Sequence, residues 1–140
     1  MKQFKFTIPG RAVPLMRPRI NIGLVKRWRP GRAVGPLVYT PSKCTKWQKF
    51  VANTVKQTFV NTIFSYPIAV SVVFFIKRPG TASKFAHRPD IDNYTKNLLD
   101  ALDGVLWEDD AFVTHLTAMK SYVNSKVAEA TEVVITQLKE

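Results

Sequence analysis

The chain has 140 residues and a formal charge of +11, from 21 Lys and Arg against 10 Asp and Glu. That length suits one domain with a core that needs neither disulfides nor a structural metal, and Cys44, the only cysteine, excludes an intramolecular disulfide and a Cys-rich zinc site. No apolar run approaches the ~20 residues of a membrane span and the N-terminus lacks the apolar region of a signal peptide, so the expectation is a protein of the reducing cytoplasm with no membrane association.

Residues 1–8 read as a strand, with Phe4, Phe6 and Ile8 sharing one face. Pro9-Gly10 stops it, and from 11 to 41 the pattern dissolves into a basic loop. This loop carries Arg17-Pro18-Arg19 and Lys26-Arg27-Trp28-Arg29-Pro30-Gly31-Arg32; loops of such length inside a compact domain are usually functional. Thr40 and Pro41 read as the N-cap and first residue of a helix. Trp47, Phe50, Val51, Val55, Phe59 and Ile63 then recur every three or four residues, an amphipathic helix reaching about residue 62, with Lys43, Lys46, Lys49 and Lys56 on its other faces.

After Pro67, residues 68–77 form a β-branched and aromatic run, the pattern of a central strand buried on both faces. A polar stretch follows to Pro89, which holds Arg88 extended. Residues 90–103 make the second helix, with an apolar stripe of Ile91, Tyr94, Thr95, Leu98, Leu99 and Leu102 and with Gly104 as its stop. Residues 105–107 read as a short strand broken by Glu108-Asp109-Asp110. Residues 112–122 and 131–138 alternate as two further strands around a polar turn at 124–129. The order β-α-β-α-β-β implies a small single-domain α/β (α+β) fold spanning 1–140, one mixed sheet with two helices packed on it.

The charges are segregated. No acidic residue precedes Pro89, a stretch holding 17 Lys and Arg, and seven of the ten carboxylates fall between residues 90 and 110. The basic excess points to a polyanion, because each neutralised phosphate releases condensed counterions. A carboxylate cluster repels phosphate unless a cation sits within it. In an extended entry to the helix, Asp90 and Asp92 would face one spot while Ile91 anchors in the core. Asp92 and Lys96, four apart, share a helix face, and Asp109-Asp110 returns toward that face after the Gly104 turn. Such all-oxygen ligand sets suit Mg²⁺, with Mn²⁺ as a substitute, and place a hard cation where a phosphodiester would lie. Lys96 is then positioned to stabilise charge on the reacting phosphate.

Arg88-Pro89-Asp90-Ile91-Asp92-Asn93, then Lys96, then Leu99-Asp100-Ala101-Leu102-Asp103-Gly104 and Asp109-Asp110 together resemble the RusA-type Holliday junction resolvases, mostly phage and prophage endonucleases. The resemblance is tight over the catalytic segment 88–110 and looser in the N-terminal half, where an Arg-Pro-Arg loop leads into Tyr39-Thr40-Pro41. It implies a Mg²⁺-dependent homodimer, in a bacterium or the host cell of a phage, with no small-molecule cofactor. Such an enzyme resolves branched four-way DNA by paired symmetric nicks in recombination and repair. It also implies Asp90, Asp92 and Asp110 as metal ligands and Lys96 as the catalytic lysine, with Asp109 as the alternative third ligand and Asp100 in a supporting role; Asn93 suits orienting an aspartate and equally suits satisfying the helix start. Tyr94 and Gln48 depart from the pattern, standing where the family usually has leucine and where many members have glutamate.

The DNA contacts expected are Arg17, Arg19, Lys26, Arg27, Arg29, Arg32, Lys43, Lys46 and Arg88. Trp28 among them suits stacking on an unpaired base, an interaction of about 1–3 kcal/mol, and equally suits loop packing or a dimer contact. Plainer readings stand beside these. Taken alone, Asp90 is an N-cap, and Lys96 is a surface partner of Asp92. Asp100 and Asp103 fit a solvated helix face. His87, His115 and Cys44 lack motif partners and read as structural, and Trp47 and Trp107 as core. The competing function is a non-catalytic basic DNA- or RNA-binding protein with a solvated acidic patch; a third is an interaction protein that binds an acidic partner.

Overall fold

A computed structural model describes residues 2–16, 19–20, 38–39, 42–59, 63–78, 80 and 90–138. Strand β1 (Gln3–Pro9) is followed by two short strands, β2 (Arg19–Ile20) and β3 (Val38–Tyr39), then helix α1 (Ser42–Thr58) and strand β4 (Ile68–Lys77). Helix α2 (Ile91–Leu102), a 3-10 turn at Asp110–Phe112, strand β5 (Val113–Val123), a second 3-10 turn at Lys126–Ala128 and strand β6 (Ala130–Gln137) complete the order. The long elements follow the β-α-β-α-β-β order that the sequence implies. Within 11–41, an expected loop, β2 and β3 pair antiparallel as a small ribbon, Arg19 opposite Tyr39.

The main sheet has the order β1-β6-β4-β5. β6 pairs antiparallel with both β1 and β4, whereas β4 and β5 run parallel, Val70 opposite Leu116 and Phe74 opposite Lys120. Parallel neighbours cannot be joined by a tight hairpin; the chain between β4 and β5 contains α2. Both helices lie on one face. Trp47, Val51 and Val55 of α1 and Tyr94, Leu98 and Leu102 of α2 share one core with Phe6, Ile8, Val70, Val72, Phe74, Val133 and Ile135. Edge-on aromatic contacts close its far end, with Phe4 5.0 Å from Phe64 and 5.9 Å from Phe59 between ring centres.

That one-sided layering corrects the reading of β4 as buried on both faces. Ile68, Val70, Val72, Phe74 and Ile76 are buried, while Ala69, Val73 and Phe75 are half-buried and Ser71 is exposed. α1 ends at Thr58, short of residue 62, and Thr40 and Pro41 lie outside the described residues. Residues 105–107 form no strand. Val105 and Leu106 both donate backbone hydrogen bonds to Leu102 O, and Gly104, at φ 74°, donates to Trp107 O. The apolar triplet is a turn, and its Leu106 and Trp107 are buried in the core. Among the described residues, no helix is long and apolar enough to cross a membrane.

Candidate active site

An open cavity of about 480 Å³ runs between α2 and β5. Asp92, Asn93, Lys96 and Asp100 line one side, Asp110 closes one end, and Leu116 and Ala118 form the floor with Ile91 and Leu99 above them. Residues four apart on a helix share a face, which accounts for Asp92, Lys96 and Asp100 standing in one row. β5 starts three residues after Asp110 and carries Leu116 and Ala118 on the face toward α2.

The local bonding of each acidic residue differs. Asp110 Oδ1 accepts the indole N–H of buried Trp107 at 2.8 Å, which fixes the carboxylate at the cavity mouth. Asp109 instead caps the following 3-10 turn, its Oδ1 accepting from Ala111 N at 2.9 Å, and it does not line the cavity. Asp92 is exposed and its Oδ1 accepts from Asn93 N at 3.0 Å. Asp90 holds the N-cap position of α2, but its side chain makes no capping hydrogen bond. The carboxylate is therefore not consumed by the structural role that its position suggests.

Two expected alignments are corrected. α2 begins at Ile91, so the step from residue 91 to 92 turns by about 100° rather than the 180° of an extended chain. Ile91 is consequently half-buried on the cavity rim beside Asp92 instead of anchored in the core, and Asp90 does not line the cavity. Among the described residues, no group of three or more His, Cys, Asp or Glu side chains converges tightly enough to hold a metal ion. Lys96 turns to Asp100, Nζ to Oδ1 3.5 Å, and not to Asp92. This places Asp100 within the cavity's charge network and leaves the lysine two-thirds exposed.

Asp103 follows α2 as its C-cap, close to the acidic residues of the turn. Desolvation, then the charges of Asp110, Asp109 and Asp100, hold the Asp103 carboxyl above its usual range. The carboxylates that line the cavity are Asp92, Asp100 and Asp110. Oxygen donors are the ligand type that a hard divalent cation prefers, although these three are not gathered into a cluster.

Of the expected DNA contacts, Lys43 and Lys46 lie exposed on α1. Arg17, Lys26, Arg27, Trp28, Arg29, Arg32 and Arg88 lie outside the described residues, as does His87; Arg19 belongs to β2. His115 is exposed on β5 with Nδ1 3.0 Å from Thr114 Oγ1. Cys44 is buried, and its Sγ receives Met16 N–H and donates to Pro14 O.

Sequence reasoning missed a polar junction behind the site. Asn97 is fully buried; its Nδ2 donates to Val13 O at 2.8 Å and its Oδ1 accepts from Gln48 Nε2 at 2.7 Å. Leu15 N donates to Asn93 O at 2.8 Å, so α2 holds the segment that leads into the basic loop. Arg11, merged with that loop in the sequence, is instead part of the folded body, 3.5 Å from buried Glu129. At the far end of β4 and β5, Arg78 and Lys120 lie 5.9 and 6.0 Å from the Tyr122 ring centre. The absence of acidic residues before Pro89 was the available signal for Arg11 and Arg78.

The family model for endodeoxyribonuclease RusA matches residues 9–136. Among curated proteins, the chain is 28% identical over 136 residues to the uncharacterized protein YqaN of Bacillus subtilis (strain 168), covering 87% of this chain and 89% of that protein.

Proposed function

The chain belongs to the RusA endodeoxyribonuclease family and is a DNA-cleaving enzyme, and from that premise we propose that it is a Mg²⁺-dependent, structure-selective endonuclease. Its substrate on this reading is the four-way DNA junction, which it resolves as a homodimer by paired symmetric nicks. The observation that carries the reading is the shared lining of one cavity by Asp92, Asp110 and Lys96, flanked by a helix bearing Lys43 and Lys46.

Asp92 and Asp110, which line the cavity, would hold the cation, and Asp90, whose carboxylate makes no capping bond, would have to turn toward them from the N-cap of α2 to serve as the third ligand. The chemistry that such a cation would supply, held by these carboxylates, is polarisation of the phosphoryl oxygens and compensation of developing charge. The remaining work falls to the chain itself. Lys96 is oriented by Asp100, and its ammonium offsets negative charge at the reacting phosphate or the leaving oxygen. Trp107 keeps Asp110 in one orientation through its indole N–H. Leu116 and Ala118 present an apolar floor against which a strand can rest. Lys43 and Lys46 of α1 and the basic residues of the 11–41 loop neutralise flanking phosphates, and two protomers supply the two active sites that symmetric nicking needs.

The test is a denaturing-gel cleavage assay on labelled four-way junction, duplex and single strand, with Mg²⁺ or EDTA, for wild type and Asp92→Asn. Paired nicks confined to the junction, and lost with EDTA and in the variant, are expected. Asp92→Asn should bind the junction as tightly as wild type or tighter, since one repulsive charge is gone. Tight binding with no cut in Mg²⁺ or Mn²⁺ would leave a binding protein and sink the proposal.

A further inference from the structure

A second cavity, of about 420 Å³, opens near the N-terminal end of α2. Arg11, Lys43 and Tyr94 supply its polar lining, with Val13, Pro14 and Met16 completing the wall, and no carboxylate lines it. We infer that this cavity is a phosphate-binding subsite, which seats a backbone phosphate of the same DNA strand whose scissile bond lies in the first cavity. The inference rests on the nuclease reading above and adds to it a subsite and three residues acting together.

The groups are fixed by the fold. Arg11 is steered by Glu129, whose carboxylate also accepts Lys77 N–H at 3.1 Å. Tyr94 lines the same cavity as Arg11, and a protonated phenol can donate to an acceptor. Tyr94 is itself buried and held by its 5.4 Å ring contact with Phe74. Lys43 stands in the first turn of α1, which has no acidic residue, so the positive end of the helix dipole adds to its charge. Two cations and one hydroxyl donor around an opening free of carboxylates match a phosphodiester, an anion with only acceptors.

The location suits a continuous strand. Asn93 lines the first cavity, while its backbone carbonyl holds Leu15 of the segment that walls the second.

The experiment measures junction affinity against salt, and cleavage, for wild type, Lys43→Gln, Tyr94→Phe, Arg11→Gln and the control Lys56→Gln. Lys43→Gln and Arg11→Gln should each weaken binding about three- to tenfold and lower the salt slope by about one. Tyr94→Phe should weaken binding with the slope unchanged, and Lys56→Gln should match wild type. Because Arg11→Gln strands Glu129 and can unfold the chain, the other two variants carry the test. Neutralising single phosphates as methylphosphonates should locate one sensitive position on the cleaved strand other than the scissile phosphate, and that sensitivity should vanish in Lys43→Gln. If wild type cuts the junction while Lys43→Gln and Tyr94→Phe retain its affinity and slope, the subsite is wrong and the nuclease reading stands. If wild type neither binds nor cuts the junction, both fall.

Discussion

Replacing Asn97 by alanine tests how the site is held to the rest of the fold. The side chain is wholly buried and joins three parts of the chain: α2, Gln48 of α1 and the Val13 carbonyl ahead of the basic loop. Asn97→Ala leaves the Val13 carbonyl and the Gln48 amide without their partner. A buried group so stranded costs about 1–3 kcal/mol, but both residues are half-buried and reachable by water, which favours the low end. The summed loss is then about 2 kcal/mol. In urea, with a slope of about 2 kcal/mol/M, the midpoint should fall by about 1 M with the slope unchanged. Adding Gln48→Ala should cost less than its effect alone, with a coupling of about 1 kcal/mol. Asn97→Asp should be worse than alanine, since it sets a carboxylate against a carbonyl. A loss below about 0.5 kcal/mol, or strictly additive single effects, would show that this junction does not hold the helices together.

Six other substitutions, at five positions, separate roles that the structure distinguishes. Asp110→Asn should abolish cleavage, while Asp109→Asn, which preserves the turn cap, should cut like wild type; Asp109→Ala should lose about 1 kcal/mol of stability with cleavage retained. The assay pairs nicking with urea melts, and equal loss of nicking in both asparagine variants would contradict the geometry. Asp103→Asn should stabilise the metal-free protein at neutral pH by removing a like charge from Asp100, Asp109 and Asp110, a gain that thermal melts should see shrink as salt rises. Glu129→Ala should cost about 3 kcal/mol, because Arg11 and Lys77 N–H both lose their acceptor. Cys44→Ala should cost about 1–2 kcal/mol, and in wild type the thiol should resist alkylation until the chain is unfolded, since its Sγ is buried and bonded to Pro14 and Met16.

The strands and helices were legible because local pattern and tertiary role agree there. The run from Ile68 to Lys77 could be little but a strand, and the positive φ at Gly104 is where the helix stop was expected. Residues 105–107 misled because a short apolar run fits a strand or a buried turn equally well. Asp92, Lys96 and Asp110 could be placed by spacing and resemblance. Asp90 and Ile91 could not, because the helix starts one residue earlier than an extended entry allows. Asn97 offered no signal at all. In the sequence it is a polar interruption of a helix, and its meaning lies with partners 49 and 84 residues away.

The parallel pairing of β4 with β5 bears on how the enzyme comes into being. The other pairings of the main sheet are antiparallel, but β5 can join only after the chain has travelled through α2 and back. Long-range pairings of this kind close slowly, because loop-closure entropy is lost before contacts repay it. The groove has α2 as its wall and β5 as its floor, so it exists only once that closure is complete. Nicking should therefore return in refolding no earlier than the native β4–β5 pairing.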